Sequence, residues 1–174
     1  DNNDKLGGNV DADETLLGGH TAHHRGRSLK DKEAVLIATE QLADGRTGNI
    51  RMQQIENFEA QTLKYAIKDM IDEQAIIRTD NHRSYQYLAK EMNIKPVISR
   101  MVKALEELHK QIMQFKNWLR GIHHKCSSTH LHAYLDEYVY RFNKRNGRKW
   151  IFNDLSLVAD KTKYKIGVYS NVHS

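Results

Sequence analysis

The sequence predicts an α/β domain with a central sheet flanked by helices, and the order of its hydrophobic patterns predicts this. Strand-length segments open the chain with no helix between them. A helix–strand–helix stretch comes next, and two longer amphipathic helices close the chain. Strands and helices mixed in this order bury their apolar faces by packing helices on a sheet.

Residues 10–17 read as a first strand ending at Gly18-Gly19. A polar, basic loop spans residues 20–32. Residues 34–39 (AVLIAT) form a continuous apolar run of strand length, the pattern of a buried strand. Asp44-Gly45 marks a turn. Residues 48–55 alternate well enough for a third strand, with Ile50, Met52 and Ile55 inward. The period then changes. Leu63, Ala66, Ile67, Met70 and Ile71 recur at helical spacing, which predicts a helix over 59–71. Residues 75–79 form a short strand with Asp80 at its end. Tyr85, Leu88, Ala89 and Met92 belong to another helix, and Pro96 breaks it from the next one. A long helix is expected over 98–119, with Gly121 as its stop. The last helix, capped by Ser127 or Ser128, carries Leu131, Tyr134, Leu135, Tyr138, Val139 and Phe142 on one face. Residues 1–160 are expected to form the domain and residues 161–174 a tail without pattern.

Of the 174 residues, 39% are hydrophobic and 28% charged, which excludes a disordered chain. No apolar run is long enough to span a bilayer, so no membrane partner is expected. The first residues are acidic, without the apolar core of a secretory signal. The chain opens at Asp1 rather than a methionine, which suggests that a further module precedes it. Cys126 is the only cysteine, so neither an intrachain disulfide nor a cysteine-based zinc site can form. The net charge is +5 and uneven: Arg141, Lys144, Arg145, Arg148 and Lys149 succeed one another with no acid among them. Such a cluster suits a phosphate backbone, and equally a solvated surface. Histidines cluster at His20, His23 and His24, at His123 and His124, and at His130 and His132. Without cysteines or an HExxH pattern, surface or phosphate-contacting roles suit them better than zinc.

Two aspartates stand out by position. Asp13 lies in the first strand and Asp80 ends the fourth. Neighbouring strands would bring the two carboxylates together, where they repel unless cations lie between them. Two hard divalent ions ~4 Å apart would supply that neutralisation and could drive phosphoryl transfer. On position alone, an aspartate at a strand end is more often a turn or cap residue.

The motifs taken together resemble a known family. Asp13-Glu14-Thr15-Leu16-Leu17-Gly18-Gly19 is similar to the DE-T-x-x-GG opening of a branch of bacterial insertion-sequence transposases. This ISXO2-like branch of the DDE superfamily is related to the Merlin elements. Arg25-Gly26, Lys32 and a strand ending in Glu40 match its next landmark, and Thr79-Asp80 with Tyr85 match the one after. The C-terminal landmark is matched by Lys116, Trp118-Leu119, Gly121, His123-His124, Leu131, Tyr134-Leu135-Asp136-Glu137-Tyr138 and Tyr140-Arg141-Phe142-Asn143-Lys144-Arg145. The resemblance covers residues 10–157.

It implies a ribonuclease-H-like mixed sheet flanked by helices. It also implies metal-dependent cleavage and strand transfer at insertion-sequence ends by two Mg²⁺ or Mn²⁺ ions held by an acidic triad. The partner is double-stranded DNA, both transposon ends and target, bound by a homo-oligomer in the bacterial cytoplasm at the nucleoid. Asp13 and Asp80 carry over as the first two triad members. Relatives place Glu or Asn on the long helix seven residues before a lysine, and counting back seven from Lys116 reaches His109. The third ligand is therefore His109, or Glu106 one turn earlier. Imidazole suits Mn²⁺ better than Mg²⁺, and near neutral pH it could also hold a phosphate or move a proton. Lys116, Arg141 and Arg145 are the expected DNA contacts, and Trp118 is expected in the core. Two other readings remain open: a degenerate copy that binds DNA without cutting it, and a nuclease for RNA–DNA hybrids.

Overall fold

The computed structural model describes residues 5–18, 32–97, 105–122 and 128–145. The histidine clusters at 20–24 and 123–124, the Arg25-Gly26 pair, Gly19, Cys126, Ser127, residues 98–104 and the tail lie outside them. Five strands and four helices succeed one another as β1 (Asn9–Leu17), β2 (Glu33–Gln41), β3 (Thr47–Ile55), α1 (Ala60–Met70), β4 (Ile76–Asp80), α2 (Arg83–Leu88), β5 (Ile94–Val97), α3 (Glu106–Ile122) and α4 (Ser128–Asn143).

The strands make one mixed sheet in the order β3-β2-β1-β4-β5. β2 runs antiparallel to both β1 and β3, while β4 runs parallel to both β1 and β5. This is the α/β, ribonuclease-H-like architecture expected. β2 lies inside the sheet, with a strand on each side and helices over both faces. That explains why its apolar residues run on without alternating. The β2–β3 hairpin turns at Gly45, whose φ of 81° suits a residue without Cβ. Gly18 ends β1 with the same φ of 81°.

Alternation along each strand sorts the core into two layers. Val10, Ala12, Leu36, Ala38 and Ile77 pack beneath α1 and α2, against Leu63, Ile67, Met70, Tyr85 and Leu88. Leu17, Val35, Ile37, Ile50 and Met52 pack on the other face, against Leu108, Ile112, Phe115 and Leu119 of α3 and Leu131, Leu135 and Val139 of α4. Ile55 is inward as expected, but it faces α1 rather than the layer of Ile50 and Met52. Phe115, Trp118, Tyr138 and Phe142 form an aromatic ladder between α3 and α4, with Phe115 and Tyr138 edge-on at 5.1 Å. No helix among the described residues is long and apolar enough to cross a membrane.

Three local expectations are corrected. The helix predicted through Met92 ends at Leu88, and turns lead from there into β5, a strand the sequence did not suggest. Pro96 sits inside that strand opposite Thr79. β5 has a neighbour on one side only, so the missing N–H of proline can face the open edge. Gly121 does not stop α3, which continues to Ile122: its backbone is not left-handed, and a Cβ added there would meet nothing within 4 Å.

Candidate active site

The α3-facing side of β1 carries Asp11, Asp13 and Thr15, the odd-numbered residues of that strand. On β4, Arg78 and Asp80 share the same side. The parallel register sets Asp11 opposite Arg78. Arg78 closes a two-pronged bond on Asp11, Nε donating to Oδ1 at 2.6 Å and Nη2 to Oδ2 at 2.8 Å. Asp11 is fully buried, and burial raises its pKa above the usual carboxylate range, with the guanidinium pulling the other way. The pair stitches β1 to β4 on the side that faces α3.

Two residues further along each strand come Asp13 and Asp80. The backbone N–H of Glu14 donates to Asp13 Oδ1 at 2.8 Å, and that of His82 donates to Asp80 Oδ1 at 3.0 Å. One oxygen of each carboxylate is thus oriented by its own chain. From α3, His109 brings Nε2 to 3.2 Å from Asp13 Oδ2. Burial pushes the Asp13 carboxyl up, the negative charge of Asp80 adds to this, and the Glu14 N–H and His109 oppose it. The site therefore holds two carboxylates that sense each other, one of them largely desolvated. That arrangement disfavours ionisation unless a cation joins it.

The oxygen donors suit a hard divalent cation, and the imidazole beside them suits Mn²⁺ better than Mg²⁺. Among the described residues no group of three or more His, Cys, Asp or Glu side chains is placed to hold a metal ion. Asp13 lies against His109 and within range of the Asp80 charge. Glu106, the alternative third acid, is engaged elsewhere: it pairs with Lys110 at 3.1 Å on the outer side of α3.

The three expected DNA contacts part company. Lys116 is half-buried on the His109 side of α3 and feels the charge of Asp13, while burial and the nearby Arg120 lower its pKa. Arg141 is exposed on α4 and bonded to Glu137 at 2.9 Å. Arg145 is taken up by the protein itself: it donates to the carbonyls of Phe142, Thr47 and Gly48, and its guanidinium carbon lies 3.9 Å from the Phe142 ring centroid. It lines a cleft of about 590 Å³ on the opposite flank of α3, together with Glu107, Gln111 and Asn143. Asn143 completes that corner by pairing with both the N–H and the C=O of Ile50, at 2.8 and 3.0 Å, on the open edge of β3.

Sequence reasoning missed the Asp11–Arg78 pair, although a signal was present. Asp11 lies two residues before Asp13, and Arg78 two before Asp80, so each shares its strand face. Glu14 likewise had no role in the sequence reading. It points to the opposite side of the sheet from Asp13, toward Tyr85. The tyrosine hydroxyl is pushed well above the ordinary tyrosine pKa, first by burial and then by the charges of Glu14 and Asp13. The two acids that stand adjacent in sequence therefore serve different faces.

Two comparisons bear on this arrangement. A family model described as ISXO2-like transposase domain matches residues 5–143. A search of the curated proteins finds no match.

Proposed function

Because the chain belongs to the ISXO2-like transposases, insertion-sequence transposases of the DDE type, we propose that it cuts DNA at the ends of an insertion sequence and joins the freed ends to a target. The observation that supports this reading is Asp13, which lies against His109 Nε2 and feels the charge of Asp80 on the same face of the sheet. Asp13 and Asp80 would hold two divalent ions, Mg²⁺ or Mn²⁺, with His109 as the third protein contact. When bound, the ions lower the pKa of the attacking oxygen and offset charge at phosphorus.

The chain's own residues do the rest. The N–H groups of Glu14 and His82 orient the two carboxylates before substrate arrives, so little reorganisation remains for the reacting state. The first displacement breaks a phosphodiester with water and leaves a 3′-hydroxyl. The second uses that hydroxyl as nucleophile on target DNA, so one bond at phosphorus forms as another breaks. Each attack takes one proton from the nucleophile and returns one to the leaving oxygen, so the displacement is proton-neutral overall. Lys116 would hold a phosphate of the cut strand beside Asp13. Arg141 would contact phosphate farther out. Arg145, spent on three carbonyls, would shape the β3 edge that supports α4.

Cleavage and strand transfer on DNA carrying the element's terminal repeats, with Mn²⁺, test the reading. Asp13→Ala and Asp80→Ala should each abolish both steps while leaving DNA binding and the circular-dichroism spectrum intact. Undiminished cutting by either variant would sink it. A second reading, a DNA-binding copy that no longer cuts, draws on the histidine at the third position. Full DNA affinity in a wild-type chain that neither binds Mn²⁺ nor cuts DNA would favour that reading.

A further inference from the structure

The flank of α3 that carries His109 continues beyond it. Helical spacing sets Met113, Lys116 and Arg120 on one line with His109, beside the buried line of Leu108, Ile112, Phe115 and Leu119. Met113, in mid-helix, is 64% exposed. Lys116 and Arg120 stand one turn apart and repel each other. Neither has an ion-pair partner among the described residues. Some other cations are paired: Lys110 on the outer side of the same helix with Glu106 and Glu107, Lys64 with Glu91, Arg141 with Glu137. Two positive charges without an ion-pair partner among the described residues and an exposed methionine therefore lead away from Asp13 in a row. From His109 to Arg120 the row covers roughly 16 Å of helix axis, about five nucleotides of one DNA strand.

We propose that this row is a track for the strand to be cut, in which Lys116 and Arg120 each take a phosphate and Met113 packs against a sugar or base lying between the carboxylates and those phosphates. The proposal rests on the transposase reading and deepens it. It adds Arg120 and Met113 to the substrate contacts. Charge complementarity identifies the occupant: a polyanion relieves the Lys116–Arg120 repulsion, and an apolar side chain between cations suits a chain of alternating phosphates and sugars.

Anisotropy titrations of a fluorescein-labelled insertion-sequence end, repeated across a range of salt, test the track. Arg120→Gln should lower the slope of log affinity against log salt by about 1. Met113→Ser should weaken binding roughly fivefold at every salt concentration without changing the slope. Lys110→Gln serves as a control on the outer side of the helix and should change neither. An unchanged slope in Arg120→Gln, an equal drop in Lys110→Gln, or wild-type affinity in Met113→Ser would each overturn the track. Failure of the track alone leaves wild-type binding and cleavage in place. Failure of the transposase reading instead shows as a wild-type chain that neither binds nor cuts DNA.

Discussion

His109 is the residue by which this site differs most from an all-carboxylate one. Its Nε2 reaches Asp13, whereas Glu106 on the neighbouring turn is tied to Lys110. An imidazole in that position lowers the negative charge of the site and biases it away from Mg²⁺. His109→Glu should therefore raise cleavage with Mg²⁺ relative to Mn²⁺, and isothermal titration should show tighter Mg²⁺ binding. An unaltered metal preference would mean that His109 acts on the substrate or the proton instead. The partner of each acidic residue was hard to see in the sequence for a simple reason. Asp13 and Glu14 are adjacent in the chain, but strand alternation sends them to opposite sides of the sheet. Period-two alternation identifies the face, and only the fold identifies what lies across from it.

At the scale of elements, patterning served best where burial is one-sided or complete. The continuous run of β2, the alternation within β3 and the helical repeat of α1 all name their elements because the sheet covers them as expected. It served worst at the margins. β5 has four residues and a proline, so its identity depends on β4 lying beside it. Gly121 looks like a helix stop, but its backbone makes no left-handed turn, and α3 runs past it with open space where a side chain would be. Gly121→Ala should therefore stabilise the protein by up to about 0.5 kcal/mol, less than for a helix interior because the position lies in the last turn of α3. Urea denaturation measures this, and a loss of stability would place a neighbour against that position. Arg145 makes a related point: a basic residue in a basic run reads as a ligand contact, yet its carbonyl partners on β3 are distant in sequence and leave no local trace.

At the scale of the whole molecule, the site depends on two parts of the chain lying side by side. Asp11 and Arg78, separated by 67 positions, join β1 to β4 just below the carboxylates. Arg78→Met would leave Asp11 buried without its counter-charge. The cost should be about 3 kcal/mol, the low end for a broken buried pair, because Arg78 keeps 33% of its side chain exposed. Replacing both residues, Asp11→Leu with Arg78→Met, should recover much of that loss. Chemical denaturation of the two variants measures the difference, and equal losses would show that the pair's charge is not what matters.

That same parallel seam has a consequence for the proposed cutting centre. β1 is synthesised before β4, and the β2–β3 hairpin and α1 lie between them in the chain. Until β4 has been made, one half of that centre has no other half. A nascent or truncated chain that lacks β4 would hold Asp13 without Asp80, so the proposed cutting would begin only with the finished sheet.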